Sequence, residues 1–173
     1  MDKKCGCRFC DIISGIYQYP DIDKPILINE DFYSIASIGS IAEGWTLIVS
    51  VRHVLSMKEL YGRTGFLEII NQMLPVLIKK YGSLIAFEHG SNYDDSLTGC
   101  GINHAHLHVV PFKCSLLGDM FESEYDWVKV RPDEIIDVVG NNEYLFYKDI
   151  GLNENWLDNV GYVHVLNGEV SQY

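Results

Sequence analysis

Asn103-His104-Ala105-His106-Leu107-His108-Val109-Val110-Pro111 alternates imidazoles with small or apolar side chains and then runs on into two valines. Side chains of a strand alternate faces, so His104, His106 and His108 share one side. Ala105, Leu107 and Val109 point the other way, as core residues do. Three imidazoles in a row on one face admit three readings: a solvated polar face, three ligands of a metal ion, or a nucleophilic centre. The last suits the chemistry well. A neutral imidazole, with an unperturbed pKa of about 6.5, is a good nucleophile near pH 7. Attack on phosphorus by one ring nitrogen gives a phosphoramidate and divides one difficult displacement into two easier ones. The second ring nitrogen must then be hydrogen-bonded to fix the tautomer, and a neighbouring histidine can donate to the phosphoryl oxygens.

Working outward, residues 83–88 read as a strand leading into a polar, Gly-containing loop at 91–101. Upstream of these, Phe66, Ile70, Met73, Leu74, Leu77, Ile78 and Tyr81 recur at helical spacing, with Gly82 placed to close the helix. Pro75 lies inside that pattern and predicts a kink or a break. Ser56-Met-Lys-Glu59 has the spacing of a capping box and predicts a helix or helical turn starting near Met57. Residues 26–29, 32–38 and 45–51 are rich in Ile, Val, Tyr and Trp and read as strands, with Gly39 and Gly44 marking the turn between the second and third. Downstream, residues 127–130, 144–148 and 162–166 are strand-like, and 132–139 is helical with Pro132 in its first turn. The sum is an α+β fold around a mainly antiparallel sheet.

The chain has 173 residues, 47% hydrophobic and 21% charged, which fits one domain over residues 1–173 that buries a core without disulfides. No segment approaches the roughly 18 apolar residues of a membrane span, and the first residues lack the apolar stretch of a secretory signal. A cytoplasmic location with no membrane partner is the expectation. Thirteen basic residues against 24 acidic ones give a net charge of −11, which argues against extended nucleic-acid binding. A small anionic substrate remains compatible, because local donors outweigh a net field screened over about 8 Å. Five cysteines occur, three of them (Cys5, Cys7, Cys10) within six residues, a pattern that fits a metal site better than a disulfide framework. By itself Cys7-x-x-Cys10 is open to three readings: a redox pair, half of a zinc site, or an accident of clustering. Cys100 and Cys114 read as small buried apolar residues.

The stretch His104-Ala-His-Leu-His-Val-Val110 resembles the signature of the histidine-triad (HIT) superfamily. Cys7-Arg-Phe-Cys10-Asp-Ile-Ile is similar to the start of its zinc-containing members. Residues 38–53 resemble the strand–turn–strand that leads them to a corner histidine, here His53. Phe87-Glu-His-Gly90 is similar to a stretch that precedes the triad in a bacterial-type branch. The resemblance implies a mainly antiparallel five-stranded sheet with one long helix and smaller helices packed on it. It also implies a zinc segment at residues 5–13, with residues 115–173 as a C-terminal extension, and a homodimer.

By position, the resemblance makes His106 the nucleophile and His108 a second catalytic residue touching the phosphate. It makes Cys7, Cys10, His53 and His104 the ligands of a structural Zn2+, with Cys5 as a competing thiolate. Many relatives carry Gln-Ser or Gln-Thr before the triad, where this chain has Gly99-Cys100-Gly101-Ile102. The expected substrate contacts are therefore the backbone of Gly99 and Gly101, together with Asn103 and His108. Ser50 stands where the corner usually has Pro, and Ser37 stands where an acidic residue holds ribose in the purine-nucleoside hydrolases. The expected activity is a nucleotide phosphohydrolase that cleaves a P–O–P or P–N bond. A nucleotidyltransferase, a non-catalytic zinc-stabilised nucleotide-binding module and a redox use of Cys7/Cys10 are the rivals. His89 and His164 fall outside the motif and receive no catalytic role, with His89 the nearer exception because its strand leads toward the triad.

Overall fold

A computed structural model of the chain describes residues 6–94, 96, 102–151 and 155–166. Its centre is a sheet in which every neighbouring pair is antiparallel, in the order β1-β2-β3-β5-β4-β7-β8-β6. The strands are β1 (Leu27–Ile28), β2 (Phe32–Ala36), β3 (Thr46–Ser50), β4 (Leu84–Gly90), β5 (His106–Pro111), β6 (Val128–Val130), β7 (Glu143–Ile150) and β8 (Gly161–Leu166). The turn between β2 and β3 uses Gly39 and Gly44 at φ +70° and +84°, a left-handed backbone that favours glycine. At Gly44 a Cβ would also lie 2.4 Å from the Tyr81 ring.

The first five strands supply the expected sheet, but the described sheet has eight, and the implied number of five is corrected. The reason lies in β4. It has β5 on one side only, and its other edge carries seven residues of ladder from Leu84 to Gly90 against β7. An open edge of that length must be covered or paired. Residues after 115 therefore continue the sheet instead of standing apart from it.

The long helix α2 (Thr64–Tyr81) buries Phe66, Ile69, Ile70, Met73 and Leu74 in one stripe against the sheet. It runs through Pro75 as one helix, so the proline does not break it. Pro75 and Asn71, whose carbonyl loses its partner, are both exposed, so water can satisfy that carbonyl. Near Met57 the chain forms a turn and not a longer helix, closed by the Leu60 N–H on the Met57 carbonyl at 2.7 Å, while the Met57 N–H donates to the Glu88 carboxylate at 2.6 Å. The main core lies between α2 and the sheet. It holds Phe32, Ile48, Leu107, Val109 and Phe146, with Tyr61 and Trp156 from the connections.

Three shorter helices complete the described chain: α1 (Arg8–Ile13), α3 (Leu117–Glu122) and α4 (Ile135–Val139), the last entered through a 3-10 turn at Pro132–Glu134. The first two cover the face opposite α2. Phe9 and Ile12 of α1 pack on Tyr33, Ile35, Leu47 and Val49, while Met120 of α3 packs on Ile85, Val110 and Tyr147. Between these two apolar clusters runs β5, with its histidines. Among the described residues no helix is long and apolar enough to cross a membrane.

Candidate active site and metal-ligand cluster

Register decides what surrounds each imidazole. On β3, Val49 lies opposite His106 and Leu47 opposite His108; on β4, Phe87 lies opposite His108. Ala105, Leu107 and Val109 are fully buried on the α2 side, so the alternation read from the sequence holds. The histidine face is not solvated. His104 is 1% exposed and His106 7%, because α1 lies over them and the Phe9 ring meets both edge-on, its centroid 5.6 Å from His104 and 5.2 Å from His106.

Each imidazole has one nitrogen committed by a neighbour, and this sets what the other can do. His106 Nδ1 lies 2.7 Å from the His104 carbonyl oxygen. A carbonyl only accepts, so Nδ1 carries the proton and Nε2 keeps a lone pair. At His108 the polarity is reversed. Trp45 Nε1–H donates to His108 Nδ1 at 3.0 Å, which places the His108 proton on Nε2, a buried nitrogen with no hydrogen-bond partner among the described residues. The two rings are 4.9 Å apart. Phe87 fixes the His108 plane by stacking on it at 4.5 Å and 4°. Burial, aided by the charges of neighbouring histidines, pushes the proton affinity of both His106 and His108 below that of a free imidazole. Both rings are accordingly neutral at pH 7, one an acceptor and one a donor.

His104 takes a third role. Its Nε2–H donates to the Ser50 carbonyl at 2.7 Å, so its Nδ1 lone pair faces Cys7 Sγ at 3.3 Å and Cys10 Sγ at 3.7 Å. Cys10 Sγ lies 3.2 Å from His53 Nδ1. The four ligand atoms of Cys7, Cys10, His53 and His104 all lie within 4.8 Å of one another and form a group that could hold a metal ion. The placement follows from local structure. Cys7 is the N-cap of α1 and Cys10 lies one turn on, so helical geometry brings the two thiols to one end. The helix itself is fastened by Tyr33, whose hydroxyl donates to the Phe9 carbonyl at 2.9 Å, and by an ion pair from Arg8 to the buried Asp23.

No protein-family model and no curated protein matches the sequence. Solved structures do. The chain is similar to a HIT-like protein (23% identity, TM-score 0.39, covering 62% of this chain and 99% of that one). It is also similar to a histidine-triad protein from Clostridium difficile (17% identity, TM-score 0.42, 66% and 96%) and a HIT family protein from Bacillus anthracis (16% identity, TM-score 0.46, 70% and 88%). All three carry the histidine-triad name.

The histidine-triad residues expected from the sequence are thus placed in two adjoining groups, His106 with His108 and His104 with Cys7, Cys10 and His53. Asn103 lies just before His104 in the chain. Its amide donates to the Asp94 carbonyl, and it lines a polar cavity of about 580 Å³ beside Cys7 and His53. Gly99, Cys100, Gly101 and Cys5 lie outside the described residues. Cys114 is exposed, which corrects its reading as a buried apolar residue: β5 ends at Pro111 and the chain turns through solvent before α3.

Sequence reasoning missed Trp45, Phe87, Phe9 and the backbone carbonyls of Ser50 and His104, which orient the rings. His89 lies on the same face as Phe87, two residues on. Extending the β4–β5 register by two residues on each strand sets His89 beside His106. Its closeness shows in its lowering of the proton affinity of both His106 and His108.

Proposed function

We propose that this chain is a nucleotide phosphohydrolase that works through a nucleotidyl-His106 intermediate and cleaves a P–O–P or P–N bond. The observation that carries the reading is the opposed commitment of two adjacent imidazoles, His106 Nδ1 to a carbonyl acceptor and His108 Nδ1 to an indole donor. A lone pair and an N–H are thereby set side by side, which is what in-line attack on a phosphoryl group asks for. The histidine-triad resemblance of the sequence supports the same reading.

In the first step His106 Nε2 bonds to phosphorus, and the bond from phosphorus to the leaving oxygen or nitrogen breaks, its electron pair departing with that atom, which takes up a proton from solvent as it leaves. Positive charge gathers on the His106 ring, and the His104 carbonyl stabilises it through Nδ1–H. His108 Nε2–H donates to a non-bridging oxygen as negative charge builds there. Water then attacks phosphorus from the side opposite His106 Nε2 and gives up a proton to solvent, the bond from phosphorus to Nε2 breaks, and its electron pair returns to that nitrogen. A nucleoside monophosphate is released.

The ion that best suits two thiolates and two imidazoles is Zn2+. Bond lengths of about 2.3 Å to sulfur and 2.0 Å to nitrogen, at tetrahedral angles, separate ligand atoms by about 3.3–3.8 Å. The observed sulfur–nitrogen separations of 3.2, 3.3 and 3.7 Å lie close to the roughly 3.5 Å expected for such a pair. With four protein ligands the ion would be closed to substrate and would serve as a cross-link between α1 and the start of β5. Ser50, by accepting from His104 Nε2–H, would orient the ligand ring.

Intact-protein mass spectrometry tests the reading directly. The protein is mixed with dinucleoside polyphosphates, nucleotide sugars and a nucleoside phosphoramidate, then quenched early at mildly alkaline pH, where a phosphoramidate survives. A gain of one nucleoside monophosphate that disappears in His106→Ala is the expected result. Turnover retained in that variant would sink the assignment. Binding without adduct or product across the panel would favour a non-catalytic nucleotide-binding module.

A further inference from the structure

Beyond His108, on the side away from the cysteines, the sheet face is hollow. A cavity of about 150 Å³ lies between β4, β7 and α3, walled by Phe87, His89, Leu116, Met120, Trp127 and Tyr147. That is the size of an apolar cavity able to admit a benzene ring. Two of its walls adjoin the reacting imidazoles. Phe87 stacks on His108 at 4.5 Å and also lines the cavity. His89, which the continued register places beside His106, lines it too.

The chemistry of the lining selects the occupant. Tyr147 turns its hydroxyl away: it accepts from the Leu116 N–H at 3.0 Å and donates to Asp149, leaving the ring to face the cavity. The Glu88 carboxylate, although its residue borders the space, is held on the opposite face of the sheet by Tyr61, Tyr144 and the Met57 N–H. A nucleobase carries several donors and acceptors on its edge, and a lining whose ring nitrogens belong to His89 and Trp127 alone leaves most of them unpaired, at a cost. A planar hydrocarbon-like ring has none to satisfy and gains aromatic contacts with Phe87, Trp127 and Tyr147.

We propose that this cavity is a binding site for a neutral aromatic group and, resting on the nucleotidyl-His106 reading, that the group is the leaving arm of the substrate. The bond that breaks then points past His108 into the hollow, with the nucleotide on the other side of the phosphorus. The substrate class is a nucleoside phosphoester or phosphoramidate whose leaving atom bears an aryl or similarly flat apolar substituent.

Two measurements on the full chain test this. The first follows indole binding by saturation-transfer NMR, with wild type and Leu116→Trp, a substitution that fills the space from the start of α3. Wild type is expected to bind indole and the variant to lose it. No binding by wild type overturns the proposal whatever the turnover results. The second compares kcat/KM for an unsubstituted nucleoside phosphoramidate and its N-phenyl counterpart. Leu116→Trp should depress the N-phenyl substrate about tenfold to thirtyfold more than the unsubstituted one. Met120→Phe provides a smaller version of the same change should the larger one disturb α3. An equal loss on both substrates, or none, overturns the leaving-arm assignment while the nucleotidyl reading stands. Indole binding without turnover or adduct overturns the nucleotidyl reading and leaves the aromatic site standing.

Discussion

The two flanks of His106 rest on the same sheet face yet are built by opposite means. On the α1 side the chain is held by directed groups: two thiols, two imidazoles, the Tyr33 hydroxyl and the Arg8–Asp23 pair. On the α3 side packing does the work, with Met120, Ile85, Val110 and Tyr147 in contact and an unfilled space beside them. Directed bonds fix positions to a few tenths of an ångström but require every partner to be present. Apolar packing tolerates a change of occupant, because its contacts carry no direction. One flank is suited to placing a nucleophile, the other to admitting groups of differing shape.

The sharpest break of this comparison removes the ring that both flanks serve. His106→Ala should lower turnover by about 10⁴-fold or more and abolish the covalent adduct, with metal content by elemental analysis and the circular dichroism spectrum unchanged. Next comes the directed flank alone. Stripping metal with a chelator, or Cys10→Ser, should cost about 4 kcal/mol where free metal stands a thousandfold above its Kd. Hydrogen exchange locates the loss: amides of residues 8–13 should lose protection and those of β7 should keep it. Equal loss on both flanks would mean that the cluster supports the whole sheet and not one side of it.

A third test concerns the core beneath both flanks. Burial raises the Glu88 carboxyl from 4.5 to about 7, outweighing the hydrogen bonds from Tyr144, Tyr61 and the Met57 N–H. The unfolded chain gives up this proton near pH 4.5 and the folded chain only near pH 7. The contribution of Glu88 is therefore fully present below pH 4.5, is lost between 4.5 and 7, and stays lost above. At about 1.4 kcal/mol for each tenfold change in proton affinity, the loss is on the order of 3 kcal/mol. Thermal unfolding at pH 5 and pH 8 should show a larger fall for wild type than for Glu88→Gln; parallel falls would contradict it. The smallest effect expected is at Trp45→Phe, which removes the donor to His108 Nδ1 but keeps the ring. Turnover should fall about tenfold, the equivalent of one neutral hydrogen bond, with stability within 1 kcal/mol.

What the sequence disclosed and what it hid divide along the range of the interactions. The triad alternation, the long helix and strands β2, β3, β4 and β8 were legible because each depends on a period of two or 3.6 residues within one segment. The six-residue helices α1 and α3 are too short for a period to declare itself. Trp45 and Phe87 escaped for another reason. They meet His108 only because β5 inserts between β3 and β4, an order that no local pattern encodes. His89 was flagged by its strand alone, and it needed the register to be set beside His106. All eight segments read as strand-like from their residues, and the number five came from the resemblance; what no local pattern encodes is that the last three join the same sheet through β4.

The cysteine–histidine cluster also bears on how the chain is made. Cys7 and His104 are 97 residues apart, so the cluster closes only after β5 has been synthesised and inserted. At typical elongation rates, roughly 5–20 s separate the emergence of the first thiols from that of the last imidazole. During that interval Cys7 and Cys10 lack the complete cluster around them and are open to oxidation or to a passing metal ion. Capture of a metal ion by all four ligands would consequently be a late event in biosynthesis, and metal content would report on completed folding rather than on the presence of the N-terminal motif.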